Sequence, residues 1–138
     1  MTFGFATTIM LSFEEAVERV KQELGKEGFG IITSIDMREA FRAKLNAEFK
    51  PYVILGACNP SFALKALQME EAIGLLLPCN VVVAAQGSRT MVAAFDPHVI
   101  SSLMTHPAVE EFAREIRARL ERALSALPDR SPLTAVPA

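Results

Sequence analysis

Apolar residues recur along the chain at two spacings, and each switch of spacing marks a new element. Phe3, Phe5, Thr7 and Ile9 stand at period two and predict a half-buried strand over residues 2–10. Ser12 and Glu15 form an S-x-x-E capping box that opens a helix. Phe13, Ala16, Val17, Val20 and Leu24 fall on one face of that helix, and Glu15 and Arg19 pair on the other. Gly25 offers a stop, and Gly28 and Gly30 bracket a turn into a second strand over residues 29–35.

Asp36 and Glu39 repeat the capping logic for a helix over residues 36–49, with Met37, Ala40, Phe41 and Leu45 as its stripe. Lys50-Pro51 ends it, because the residue before proline is pushed out of the α region. Residues 52–57 are short, apolar and unbroken, which predicts a central strand. Asn59-Pro60 then opens a helix to about residue 72, with an amide at the N-cap and proline at N1. Phe62, Ala63, Ala66, Leu67 and Met69 lie along it, and Phe62 and Met69 read as a packing stripe.

Residues 75–77 read as a short strand interrupted by Pro78. Residues 81–86 and 90–95 flank Gly87-Ser88 and predict a hairpin. Asp96-Pro97 starts a helical turn, and His106-Pro107 starts the last helix. Its stripe of Val109, Phe112, Ala113, Ile116, Leu120, Ala123, Leu124 and Leu127 runs to residue 127. After Leu127 the sequence has three prolines and no periodicity, so residues 128–138 read as a flexible tail. Its removal is expected to change stability by less than about 1 kcal/mol.

This order predicts a single α+β domain over residues 1–127, a twisted, mainly antiparallel sheet with helices packed on one face. A length of 138 residues agrees with one domain. With 51% hydrophobic and 22% charged residues, disorder is excluded for the body of the chain. The same apolar content leaves surface for a C2 partner, so a homodimer is expected.

Fourteen Lys and Arg against sixteen Asp and Glu leave a net charge of −2. That balance gives no basic patch for nucleic acid and no polybasic segment for a membrane surface. The first ten residues lack a basic region and a cleavage pattern, and read as a strand rather than a signal peptide. No apolar run approaches the roughly 20 residues that span a bilayer. A cytoplasmic location follows, with both cysteines as free thiols. Nine Arg to five Lys, with only six Asn and Gln together, fits a thermophile or a GC-rich genome.

No phosphate loop, metalloprotease helix, C-x-x-C pair or nucleophile elbow is present. The suggestive feature is a repeated Cys-Asn pair, Cys58-Asn59 and Cys79-Asn80. If strands 52–57 and 81–86 are antiparallel neighbours, both cysteines lie at one end of the sheet. The hairpin partner ends there too, which brings Asp96 and His98 near. The helix start after Cys58 favours a thiolate. Cys58, Asn59, Cys79, Asn80, Asp96 and His98 are therefore the candidate ligand-binding residues, with Cys58 and Cys79 as candidate ligands of a soft metal ion. Against this stands the plainer reading: cysteine often serves as a small buried hydrophobe, and Asn59 and Asp96 as helix caps. Three functions remain open: a non-enzymatic ligand- or metal-binding domain at the Cys58/Cys79 end, a homodimeric interaction module, and a thiol-dependent redox protein.

The stretches Gly56-Ala57-Cys58-Asn59-Pro60 and Gly74-Leu75-Leu76-Leu77-Pro78-Cys79-Asn80-Val81-Val82-Val83 resemble the signature of the bacterial family called "domain of unknown function 302". There a G-x-x-N-P element is followed by a helix and then by G-L-L-L-P-x-x-V-x-V. The likeness runs from about Thr2 to Leu127. It implies a β-α-β(4)-α architecture of the TATA-binding-protein-like group, with helices 36–49 and 60–72 inserted between strands. It implies no agreed activity, so no catalytic residue follows from it. The fold grouping by itself does not imply DNA binding.

Overall fold

The alternation of Phe5, Thr7 and Ile9 builds β1 (Thr2–Ile9), which buries all three side chains. The computed structural model describes residues 2–137, so Met1 and Ala138 of the expected domain and tail lie outside the described residues. Ser12 caps α1 (Phe13–Lys26): its hydroxyl oxygen accepts the Glu15 N–H at 3.3 Å and donates to Glu15 Oε1 at 2.8 Å. The helix runs through Gly25. The left-handed turn falls instead at Gly28, with φ 87°, a conformation that glycine adopts without steric cost.

β2 (Gly30–Asp36), α2 (Met37–Leu45) and β3 (Tyr52–Cys58) follow. α2 stops four residues short of the predicted Phe49, because Asn46 turns left-handed at φ 51° and its N–H bonds back to the Arg42 carbonyl. This helix buries none of its residues. α3 (Pro60–Met69) is shorter than predicted, and a 3₁₀ helix (Glu71–Leu76) replaces the short strand expected at 75–77. Glu70 starts that turn by accepting the Ala72 N–H at 3.0 Å. With no alternation in that run, nothing favours a strand. β4 (Cys79–Gln86) and β5 (Arg89–Phe95) form the predicted hairpin, with Gly87 at φ 62°. α4 (His98–Leu103), α5 (Pro107–Ser125) and β6 (Thr134–Pro137) complete the chain.

The six strands lie in the order β2-β3-β4-β5-β1-β6, and every neighbouring pair is antiparallel. The pleat sends Leu55, Val81, Val83, Val92 and Ala94 to one face, where they are buried with Val20 and Leu24 of α1 and Leu120 and Leu124 of α5. Each of these valines and leucines contributes about 1.5–3 kcal/mol by leaving water. The fold is the expected α+β sheet with helices on one face.

Gly56 sits where β2, β3 and the start of β4 crowd together. A Cβ there would run into Thr33 Oγ1 and stand 2.8 Å from Pro78 Cγ. The threonine can rotate away but the proline ring cannot, so the sheet end needs glycine here.

The C-terminal segment differs from the unstructured tail read from its sequence. β6 pairs antiparallel with β1. Ser131 anchors the approach: its Oγ accepts the Thr8 N–H at 2.9 Å, its own N–H donates to the Thr8 carbonyl at 2.9 Å, and its carbonyl accepts from Thr7 Oγ1 at 2.6 Å. The physical reason is the edge. Without β6, β1 would present a row of unpaired backbone groups.

Candidate functional site: an apolar cleft at the end of the sheet

At the end where β3 stops and β4 starts, the chain leaves the sheet and comes back to it. β3 hands over to α3 at Asn59-Pro60, and the 3₁₀ helix returns through Pro78 to β4. α3 does not close down on the sheet. Its buried residue Ala66 joins Ile73, Ile100 and Val109 in a small cluster apart from the main core. Between this cluster, α5 and the sheet end lies an open cleft of about 310 Å³.

Ala57, Cys79 and Ala113 line it from the core side, and Phe62, Leu67, Ile73 and Ile116 from the helices. The rings of Phe62 and Phe112 meet edge to face, 5.6 Å between centroids. Of all the residues lining the cleft, Asn59 alone carries an amide, hydroxyl or charged group. Its side chain does not cap α3, in contrast to the N-cap read from Asn-Pro. The amide nitrogen instead turns toward Gly28.

The structure joins some of the sequence-derived candidates and separates others. Ala57 pairs with Cys79 across β3 and β4, so Cys58 and Cys79 do lie at one end of the sheet, and both line the cleft. Both are free thiols; Cys58 is half-buried and Cys79 buried. Burial, and secondarily the neighbouring Cys58, push the Cys79 thiol up to about 12. A thiol held that firmly protonated is a poor metal ligand and a poor nucleophile. Among the described residues no group of three or more His, Cys, Asp or Glu could hold a metal ion. The two cysteines alone would have to serve as the protein ligands.

Asn80 is exposed, one pleat position away from the buried Cys79. Asp96 reaches the right end of the sheet but faces elsewhere. Its Oδ1 accepts the His98 N–H at 2.9 Å, and its Oδ2 takes the Arg117 guanidinium at 3.0 Å. His98 is exposed at the start of α4. Neither lines the cleft, although Pro97 between them does.

Sequence reasoning passed over the aromatic and aliphatic walls. The signal was the surplus on α3: Phe62, Ala63, Leu64, Ala66, Leu67 and Met69, with Lys65 as the helix's single charge. That is more apolar surface than one packed face requires. Among the described residues, the cleft lining brings together no acid–base pair and no nucleophile with a base.

A family model described as "Domain of unknown function DUF302" matches residues 5–127. The fold is similar to the crystal structure of an uncharacterised conserved DUF302 protein from Bacillus stearothermophilus, at 30% sequence identity and a TM-score of 0.83. That match covers 91% of this chain and 98% of the other. No curated protein matches the chain.

Proposed function

The chain belongs to the DUF302 family, and we propose that it is a non-enzymatic binding domain for a small apolar molecule held in the cleft at the Cys58/Cys79 end of the sheet. The observation that carries this reading is the cleft itself: about 310 Å³, open to solvent, and walled almost wholly by hydrocarbon and aromatic side chains. Ligand sites are typically such cavities, with a few placed polar groups. A cavity of roughly 150 Å³ accepts benzene, so one of this size suits a ligand of about twelve heavy atoms.

The thiols serve here as wall. The proton held by Cys79 speaks against the redox reading and against a soft metal ion. A cytoplasmic setting, where thiols stay reduced, fits two free cysteines. Among the described residues no helix is long and apolar enough to cross a membrane.

Calorimetric titration with 1-decanol tests the proposal. The wild type should bind with a negative heat-capacity change. Ala63→Phe, which puts a ring into the cleft from a half-buried position on α3, should weaken binding at least tenfold. No binding to the wild type, or equal binding to both proteins, would overturn the reading.

A second reading, a homodimer, draws on the other face of the sheet. Ile54, Val82, Met91 and Ala93 alternate with the core residues and remain only part-buried. This is an uncharged apolar strip of the kind that pairs between copies. Sedimentation of wild type against Val82→Lys tests it: the wild type should run as a dimer and the variant as a monomer.

A further inference from the structure

The cleft is apolar along its length except at the start of α3. There Asn59 presents an amide with no hydrogen-bond partner among the side-chain bonds of the described residues, neither on its own helix nor elsewhere. Arg119 stands beside it, one helical turn beyond the cleft-lining Ile116 on α5. Its guanidinium lies over the ring of Phe62, 5.5 Å from the centroid.

The two groups lie side by side against Gly28. A Cβ built on Gly28 would lie 3.0 Å from Asn59 Nδ2 and 3.6 Å from Arg119 Nη1. Both nitrogens thus lie on the same side of Gly28, close enough to share one ligand group. One carboxylate, with hydrogen bonds of about 2.9 Å on either side, can bridge nitrogens so placed.

Resting on the reading of the cleft as a ligand site, we propose that the ligand is an apolar carboxylic acid. Its hydrocarbon body lies between Phe62, Leu67 and Ile73, and its carboxylate sits between the Asn59 amide and the Arg119 guanidinium. Arg119 already donates from Nη1 to the Glu27 carbonyl and from Nε to Glu115, each at 3.0 Å. Nη1 carries a second hydrogen and Nη2 two more, none of them bonded among the described residues, so the carboxylate adds to these bonds without displacing them. Glu115 is half-exposed, and such a pair is weakly held and screened by solvent. Electrostatics then sets the choice of headgroup, and the apolar walls set the size of the body.

The test compares decanoate with 1-decanol on the same protein by calorimetry. Decanoate should bind the wild type at least tenfold more tightly. Arg119→Met should abolish that preference and leave decanol binding within about threefold. Arg119 also holds the end of α1, so Asn59→Asp serves as the second variant. It keeps size and shape but sets a negative charge against the ligand, and should weaken decanoate at least tenfold and remove its advantage over the uncharged decanol. Circular dichroism confirms that each variant is folded. Equal affinity for the two ligands, or parallel losses of both in the variants, overturns the carboxylate assignment while the cleft stands as a binding site. Failure of the wild type to bind either ligand overturns both.

Discussion

Asp96, at the end of β5, accepts a hydrogen bond at 3.0 Å from Arg117 in the middle of α5, and so ties the last helix to the sheet. The carboxylate side chain is 8% exposed and the guanidinium 35%. Arg117 also pairs with Glu121 and lies 5.4 Å from the centroid of the Phe5 ring. Removing the cation would leave a nearly buried carboxylate with only the His98 N–H. Arg117→Met should therefore lower unfolding free energy by about 2 kcal/mol, less than a fully buried pair because the arginine is partly solvated. Urea unfolding measures it, and a loss below about 0.5 kcal/mol would show that water replaces the arginine without cost.

Truncation after Pro128 should cost more than a free tail would. It removes the β1–β6 ladder and every Ser131 bond to Thr7 and Thr8, and exposes the core where Leu133 packs. We expect a loss of about 2–3 kcal/mol, and about 1 kcal/mol for Ser131→Ala alone. A truncated protein as stable as the full chain would mean that β6 docks without contributing.

The two thiols should behave unequally. Burial keeps Cys79 protonated until about pH 12, while Cys58 is half-buried at the cleft. A disulfide reagent at pH 8 should titrate one thiol in the folded protein and two in denaturant. Cys58→Ala should leave none reactive in the folded state. Two fast-reacting thiols in the native protein would contradict this assignment.

Glu23 is buried on α1 and accepts hydrogen bonds from Lys26 at 2.9 Å and Arg19 at 3.2 Å. The Lys26 bond, more than the opposing effect of burial, holds its carboxyl below the usual value of 4.5. The folded protein thus binds this proton less readily than the unfolded chain. The resulting stability is present above pH 4.5 and is lost as pH falls through the lowered value. Glu23→Gln should cost about 1 kcal/mol at pH 7, since both partners are exposed. The difference from wild type should shrink in acid, and a constant difference from pH 7 to pH 2 would contradict the linkage.

What the sequence determined by itself was local. The alternation of Phe5, Thr7 and Ile9, the Ser12–Glu15 box and the long stripe of α5 name their elements, because pleat and helical pitch act on neighbours in the chain. The Cys58 and Cys79 strands also became neighbours as expected, since a helical connection between two apolar runs left few other pairings. Tertiary structure decided the rest. Residues such as Phe62 and Leu67 make the same pattern whether another element fills the space beside them or leaves it open, so a cleft wall and a core wall read alike. Asn59 carries the local signature of a cap, but where its amide turned depended on Gly28, about thirty residues earlier. Asp96 reached the expected end of the sheet and was taken by Arg117 from a helix the hairpin could not foresee. The proline-rich C-terminus has no strand pattern of its own; it became β6 because the free edge of β1 and the Ser131 hydroxyl supplied partners from the far end of the chain.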